Sequence, residues 1–350
     1  MLSFRIAKVM NIPIELHITF ILLLILVYYF WGLDGLILYI FLFASVVVHE
    51  LAHSYVAKRY GVYIEKILLL PIGGMAMMDK IPKRGELKIA IAGPIVSILL
   101  GIILISLSNF IKGPILNIGG MNYPLLTTVG ILNIFLGAFN LLPAFPMDGG
   151  RILRALLASK MDYIEATKIA SVVGQYFSFL LLLFGILSFN IILILIALFI
   201  YYGATQEYHA LVTEEIFNKI KAKDIMNPRI VSVSPKDTVK DLVYLIFKYR
   251  YMGYPVVEDG KLVGTVSFND ITTVSDKILI KDIMKQPVTV PEDATLNDII
   301  FKLGNDDRVY VLDKNNRLKG IISKTDVLRI LRLLKLKDHN IFKKLLLNKK

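Results

Sequence analysis

No cysteine occurs in the 350 residues. Disulfides and thiolate metal sites are therefore excluded, and any transition metal has to be held by histidine and carboxylate. Histidine is itself scarce, at five. Charge is scarce in one part only: residues 1–205 hold 14 Lys+Arg and 9 Asp+Glu, and residues 206–350 hold 26 and 19. With 55% hydrophobic residues and a mean hydropathy of +0.63, the chain lies above the range of soluble globular proteins. The shift near Thr205 separates a membrane part from a soluble part. No cleavable signal peptide is expected, because no small-residue cleavage site follows the first apolar run after Met1–Asn11. The net charge of +12 could suit nucleic acid. Much of the excess, however, flanks apolar runs, where it reads as membrane topology, so no nucleic-acid partner is expected.

A spanning helix needs about 20 mostly apolar residues. Six stretches qualify, at roughly 14–32, 36–58, 88–109, 124–144, 168–187 and 190–205. Gly32–Gly35 joins the first two, and Ser188–Asn190 joins the last two as a tight helical hairpin. Arg5 and Lys8 precede the first span. Lys58 to Lys88 holds seven Lys+Arg between spans two and three, and Arg151, Arg154, Lys160 and Lys168 lie between four and five. Only Lys112 falls on the opposite side. The positive-inside rule then puts both termini and the soluble part in the cytoplasm of a cell-membrane protein.

The second span carries His49-Glu50-Leu51-Ala52-His53 directly after Ile37–Val48, a run without charge. Residues four apart share a helix face, so both imidazoles can hold one metal ion, with the glutamate in reach of a water on that ion. Charged groups inside a membrane are expensive and usually mark function. Lys58 follows His49 by nine residues, which places His49 about 14 Å from the cytoplasmic end of the helix at 1.5 Å per residue. A catalytic zinc usually has three protein ligands. With His17, His209 and His339 elsewhere, the natural third is Asp148 in Asn140-Leu-Leu-Pro-Ala-Phe-Pro-Met-Asp-Gly-Gly-Arg151. Pro143, Pro146, Gly149 and Gly150 disfavour a regular helix there, and broken backbone at membrane depth is tolerated where it lines a wet cavity. The chemistry is metal-assisted peptide hydrolysis, with Glu50 as general base and then acid. Asn140 can donate a hydrogen bond to substrate or oxyanion. A transporter or channel is the alternative from another class, since polar groups also line ion paths. Conduction, however, has no need of a base between two metal ligands.

In combination these two motifs closely resemble the site-2 proteases, the zinc-dependent intramembrane metalloproteases. The resemblance covers about residues 1–205. It implies one zinc ion per chain on His49, His53 and Asp148, Glu50 as catalytic acid/base, and transmembrane protein substrates cut in regulated intramembrane proteolysis. Leu68-Leu-Leu-Pro-Ile-Gly-Gly-Met-Ala76 resembles the family's glycine-containing segment. Leu68–Leu70 reads as a short strand and Gly73-Gly74 as a turn, where an unwound substrate can add as a further strand. A hairpin that only packs on the core is the competing reading. Ala92-Gly-Pro94 also fits the family pattern, with helix packing and a kink as its simplest role.

Residues 222–334 repeat internally. Lys223-Asp-Ile-Met226 recurs as Lys281-Asp-Ile-Met284, and Leu262-Val-Gly-Thr-Val-Ser-Phe-Asn-Asp270 recurs as Leu318-Lys-Gly-Ile-Ile-Ser-Lys-Thr-Asp326. Each copy reads as short β-branched strands with an amphipathic helix, and neither holds a large core alone, so pairing is expected. The repeat resembles a pair of CBS domains, the modules named for cystathionine β-synthase. That resemblance implies AMP or ATP bound through Ser267, Asp270, Ser323 or Asp326, and a homodimer through the modules. The competing reading is that Ser and Asp cap the following helix. Which copy binds is open. The expectation is a multi-pass α-helical membrane protein of six transmembrane helices with a cytoplasmic α+β tandem CBS module. Its domains are a protease domain over 1–205, a linker over 206–221, CBS copies over 222–276 and 277–334, and a basic tail over 335–350.

Overall fold

The computed structural model describes residues 3–71, 73–111, 113–304 and 306–335. Lys112, His339 and most of the basic tail lie outside the described residues. The chain divides into two units, Met1–Leu211 and Val212–Lys350.

The first unit opens with a hairpin, β1 (Ser3–Val9) and β2 (Ile12–His17). The sequence reading began a span at residue 14. Instead Ile12 and Ile14 are buried on one face of a strand, and the helix starts at Ile18. His17 caps it, its Nδ1 accepting the Thr19 N–H at 3.3 Å. α1 (Ile18–Arg59) covers both of the first two expected spans. It is broken at Gly32, whose φ of 63° and ψ of −159° suit a residue without Cβ. β3 (Ile64–Leu70) pairs in parallel with β2 and antiparallel with β4 (Gly73–Met78), giving the sheet order β1-β2-β3-β4 with β4 at an edge. Leu70 pairs with Gly73, so Gly73 and Gly74 are strand residues rather than the expected turn.

α2 (Glu86–Ser108) follows, then the hairpin of β5 (Ile115–Ile118) and β6 (Met121–Pro124), α3 (Leu125–Asn140), α4 (Asp148–Ala158), α5 (Tyr163–Leu187) and α6 (Ile191–Lys219). α3 stops at Asn140, and a turn-rich loop leads to Asp148, which opens a new helix instead of closing the fourth span. Among the described residues four helices, α1, α2, α5 and α6, are long and apolar enough to cross a membrane. α3 is apolar but shorter, at 16 residues. The packing suits lipid. Buried positions include Ser45, Ser97, Asn133 and Ser171, whereas Leu22, Tyr29, Phe135, Phe184 and Leu187 are exposed. Small and polar residues between helices, with apolar surface outside, are what a lipid solvent selects. Asn133 illustrates this, its Nδ2 donating to Ser45 Oγ at 2.9 Å.

The second unit contains two similar halves. The first is α7 (Ala222–Ile225), α8 (Val239–Tyr249), β7 (Gly253–Glu258), β8 (Lys261–Ser267) and α9 (Phe268–Ile271). The second has a 3-10 turn at Ile280–Asp282, β9 (Thr289–Pro291), α10 (Leu296–Leu303), β10 (Arg308–Leu312), β11 (Leu318–Ser323) and α11 (Lys324–Lys335). α8 and α10 start with the same capping box, Thr238 with Asp241 and Thr295 with Asp298. The cores ignore the repeat boundary. Ile220 and Ala222 pack with Val290, Leu296 and Ile322, and Ile280 packs with Val256 and Val266. Met226 of one repeat lies on Gly320 of the other, and Met284 on Gly264.

Candidate metal centre and nucleotide cleft

His49 and His53 stand one turn apart on α1 and are both buried. Their Nε2 atoms lie 3.1 Å apart, and Asp148 Oδ2 lies 3.3 Å from the first and 3.1 Å from the second. Two residues four apart and a third nearly a hundred positions on thus bring three donor atoms to one point. Ligand bonds of about 2.0–2.1 Å in a tetrahedron put neighbouring donors about 3.3 Å apart, so these separations fit a zinc ion. The tautomer fits as well. His53 Nδ1–H donates to the Ile89 carbonyl at 2.6 Å, which leaves Nε2 its lone pair, and His49 Nδ1 bonds Ser97 Oγ at 2.9 Å.

α2 supplies three of these supports: the Ile89 carbonyl, the Ser97 hydroxyl and Gly93. A Cβ on Gly93 would stand 2.3 Å from His53 Nε2 and 2.6 Å from His49 Nε2. None of the three was named from sequence as part of the site; Gly93 was read only as a packing residue beside Pro94. Glu50 points toward β4, where the Ala76 N–H donates to its Oε2 at 3.2 Å. A Cβ on Gly74 would lie 2.9 Å from Glu50 Cγ. The edge strand therefore runs against the glutamate. Asn140 turns its amide back along α3, Nδ2 donating to the Leu136 carbonyl at 3.0 Å.

Comparison with known proteins decides the family. The profile of Peptidase family M50 matches residues 37–123 and 110–184, and that of the CBS domain matches 222–277 and 280–333. A zinc metalloprotease of Methanocaldococcus jannaschii is 53% identical over 344 residues, covering 96% of this chain and 98% of that protein. The chain belongs to peptidase family M50. Rip3 of Mycobacterium tuberculosis, named a zinc metalloprotease, is 28% identical across 87% of this chain and 82% of its own. Among solved structures, the site-2 protease from M. jannaschii is 59% identical and covers 59% of this chain and 95% of its own, with a TM-score of 0.47. CBSX2 in complex with AMP is 28% identical, covering 33% and 98%, with a TM-score of 0.31.

This M50 peptidase is accordingly a metalloendopeptidase of the site-2 protease family carrying tandem CBS domains, and its family implies zinc. The transporter alternative has no support from this assignment.

In the CBS pair all four expected ligand residues form caps. Ser267 N–H and Oγ–H both donate to Asp270 Oδ2, at 2.8 and 2.6 Å, and Ser323 treats Asp326 in the same way, at 3.0 and 2.6 Å. The copies then diverge. Asp270 is held by Lys285. Asp326 lines a cleft of about 550 Å³ with Ser323, Arg229, Arg250, Arg308 and Arg329, a volume in the range of small-molecule sites.

Proposed function

We propose that this enzyme hydrolyses peptide bonds within or beside the transmembrane segments of membrane proteins, in regulated intramembrane proteolysis, and that an adenine nucleotide in its CBS pair modulates it. The supporting observation is the meeting of His49 Nε2, His53 Nε2 and Asp148 Oδ2 between apolar helices. These three would hold zinc. When bound, zinc supplies Lewis-acid activation of water and of the scissile carbonyl. Glu50 takes the proton of the attacking water and passes it to the leaving nitrogen. β4 offers the backbone groups of a sheet edge next to Glu50, so an unwound substrate segment can pair there and bring its peptide bond to the glutamate. Asn140 serves as a donor to substrate after releasing the Leu136 carbonyl.

The membrane frame has six spans: the two parts of α1 on either side of Gly32, α2, α3, α5 and α6. The basic residues orient both termini and the CBS pair to the cytoplasm. The second CBS copy takes the nucleotide, its arginines meeting phosphate and Asp326 a ribose hydroxyl. The nucleotide biases substrate access, and the modules form a homodimer contact. The deciding experiment uses full-length protein in liposomes with a single-span substrate. Glu50→Gln retains zinc by metal analysis and loses cleavage; unchanged cleavage would sink the mechanism. Added ATP or AMP changes the rate in the wild type, and Asp326→Asn needs about tenfold more nucleotide for the same change. An unchanged rate in the wild type would remove the nucleotide role, and equal dose dependence in both would remove Asp326 from it.

A further inference from the structure

Asp148 reaches the histidines from the first turn of α4, and the same helix buries a second charge, Arg154. The sequence reading counted Arg154 among loop cations that orient the membrane, but it is 6% exposed and Glu86 is 3% exposed. Arg154 Nε donates to Glu86 Oε1 at 2.7 Å, Nη2 donates to the same oxygen, and Nη1 donates to Glu207 Oε1 at 2.7 Å. The guanidinium also lies 4.9 Å from the centre of the Phe145 ring, in the loop just before Asp148.

The partners of Arg154 are informative. Glu86 opens α2, and one turn later the Ile89 carbonyl fixes His53; Gly93 and Ser97 on that helix meet the imidazoles. The Arg154–Glu86 pair therefore ties the helix that presents the carboxylate to the helix that orients both histidines. Glu207 adds α6. On α6, Gly203 has no room for a Cβ against Pro146, at 2.6 Å, and Ala204 packs with Phe145. A buried ion pair is weak evidence for stability, because desolvation offsets the attraction; its better-attested use is to fix one arrangement.

We infer that Arg154 is a positioning residue. With Glu86 and Glu207 it sets the place at which α4 presents Asp148 to His49 and His53, and so governs metal affinity and turnover without touching substrate. This rests on the metal centre proposed above.

The test uses full-length protein with Co²⁺ as probe. Arg154→Lys keeps the charge and loses the planar fork. A double variant, Glu86→Met with Arg154→Met, removes both buried charges of the pair and leaves only the more exposed Glu207 without its cation. Folding is followed by thermal unfolding without metal. The inference expects a folded variant whose Co²⁺ affinity falls about tenfold, in line with loss of an outer-shell partner. The visible cobalt band shifts, and kcat drops with KM unchanged. If Arg154→Lys fails to fold, the double variant decides. A folded double variant with wild-type affinity, spectrum and kcat overturns the positioning role alone. Wild-type protein that takes up no more Co²⁺ than His53→Ala overturns the metal centre, and the positioning role with it.

Discussion

Among the described residues, two groups of ionisable side chains are buried in the first unit, and they differ in whether the chain itself supplies the cation. Around Arg154 one cation meets two carboxylates, and the chain supplies both signs itself. Around His49 the chain brings two imidazole nitrogens and one carboxylate oxygen within 3.3 Å of each other and leaves the positive charge to the zinc of its family. A cluster that holds both signs fixes geometry, whereas a cluster of donors alone is built to receive a cation. Both use α2 and α4, so the second can be only as well ordered as the first.

The comparison is broken most severely at Glu50. Glu50→Gln leaves the donor set intact, so metal content stays at the wild-type level while cleavage falls by about 10²–10⁴-fold, the usual worth of a general base. Gly93→Ala is expected to come next. Its methyl enters the space of both Nε2 atoms, so metal affinity and cleavage fall together, by about 100-fold. If only cleavage fell, Gly93 would belong to the substrate path instead. Ser97→Ala removes one orienting bond of His49 and should weaken zinc about tenfold, measured by chelator competition.

The two CBS copies offer a second contrast. Each aspartate has a cation from the chain, Lys285 for Asp270 and Arg329 at 3.6 Å for Asp326, but only Asp326 and its partner line the arginine-rich cleft. Asp326→Asn is expected to lower nucleotide affinity about tenfold by calorimetry, about the loss of one hydrogen bond to a charged group. Lys285→Ala should change it by no more than about twofold, because neither Lys285 nor its partner Asp270 lines the cleft. A larger effect from Lys285 would assign the ligand to the first copy.

The cluster of His49, His53 and Asp148 was legible because each of its members rests on a local rule. Spacing of four on a helix puts His49 and His53 together, and in a stretch holding few acids Asp148 stands out beside Pro and Gly. The repeat was legible for the same reason, as one segment compared with another. What surrounds the donors was not. Arg154 sits among Arg151, Lys160 and Lys168, and nothing near it in sequence tells that Glu86 and Glu207 come to it from other helices. Gly93 needs knowledge of which helix faces the histidines. The N-terminal sheet was missed because most of β1 is exposed, so its alternation is weak, and the burial of Ile12 and Ile14 merges with the apolar run that follows. Gly73-Gly74 carries a turn signal, yet both residues pair within the hairpin; Gly74 serves by its small size against Glu50, and Gly73 by its φ of 142°.

The exchanged methionines of the second unit carry a consequence for how the chain can be cut. Met226 belongs to one repeat by sequence and completes the interior of the other, and Met284 returns the favour. A truncation that stops at the end of the first repeat would therefore strip its interior of a borrowed side chain and strand a hydrophobic one in water. The tandem is the smallest piece that can be removed, transplanted or expressed whole.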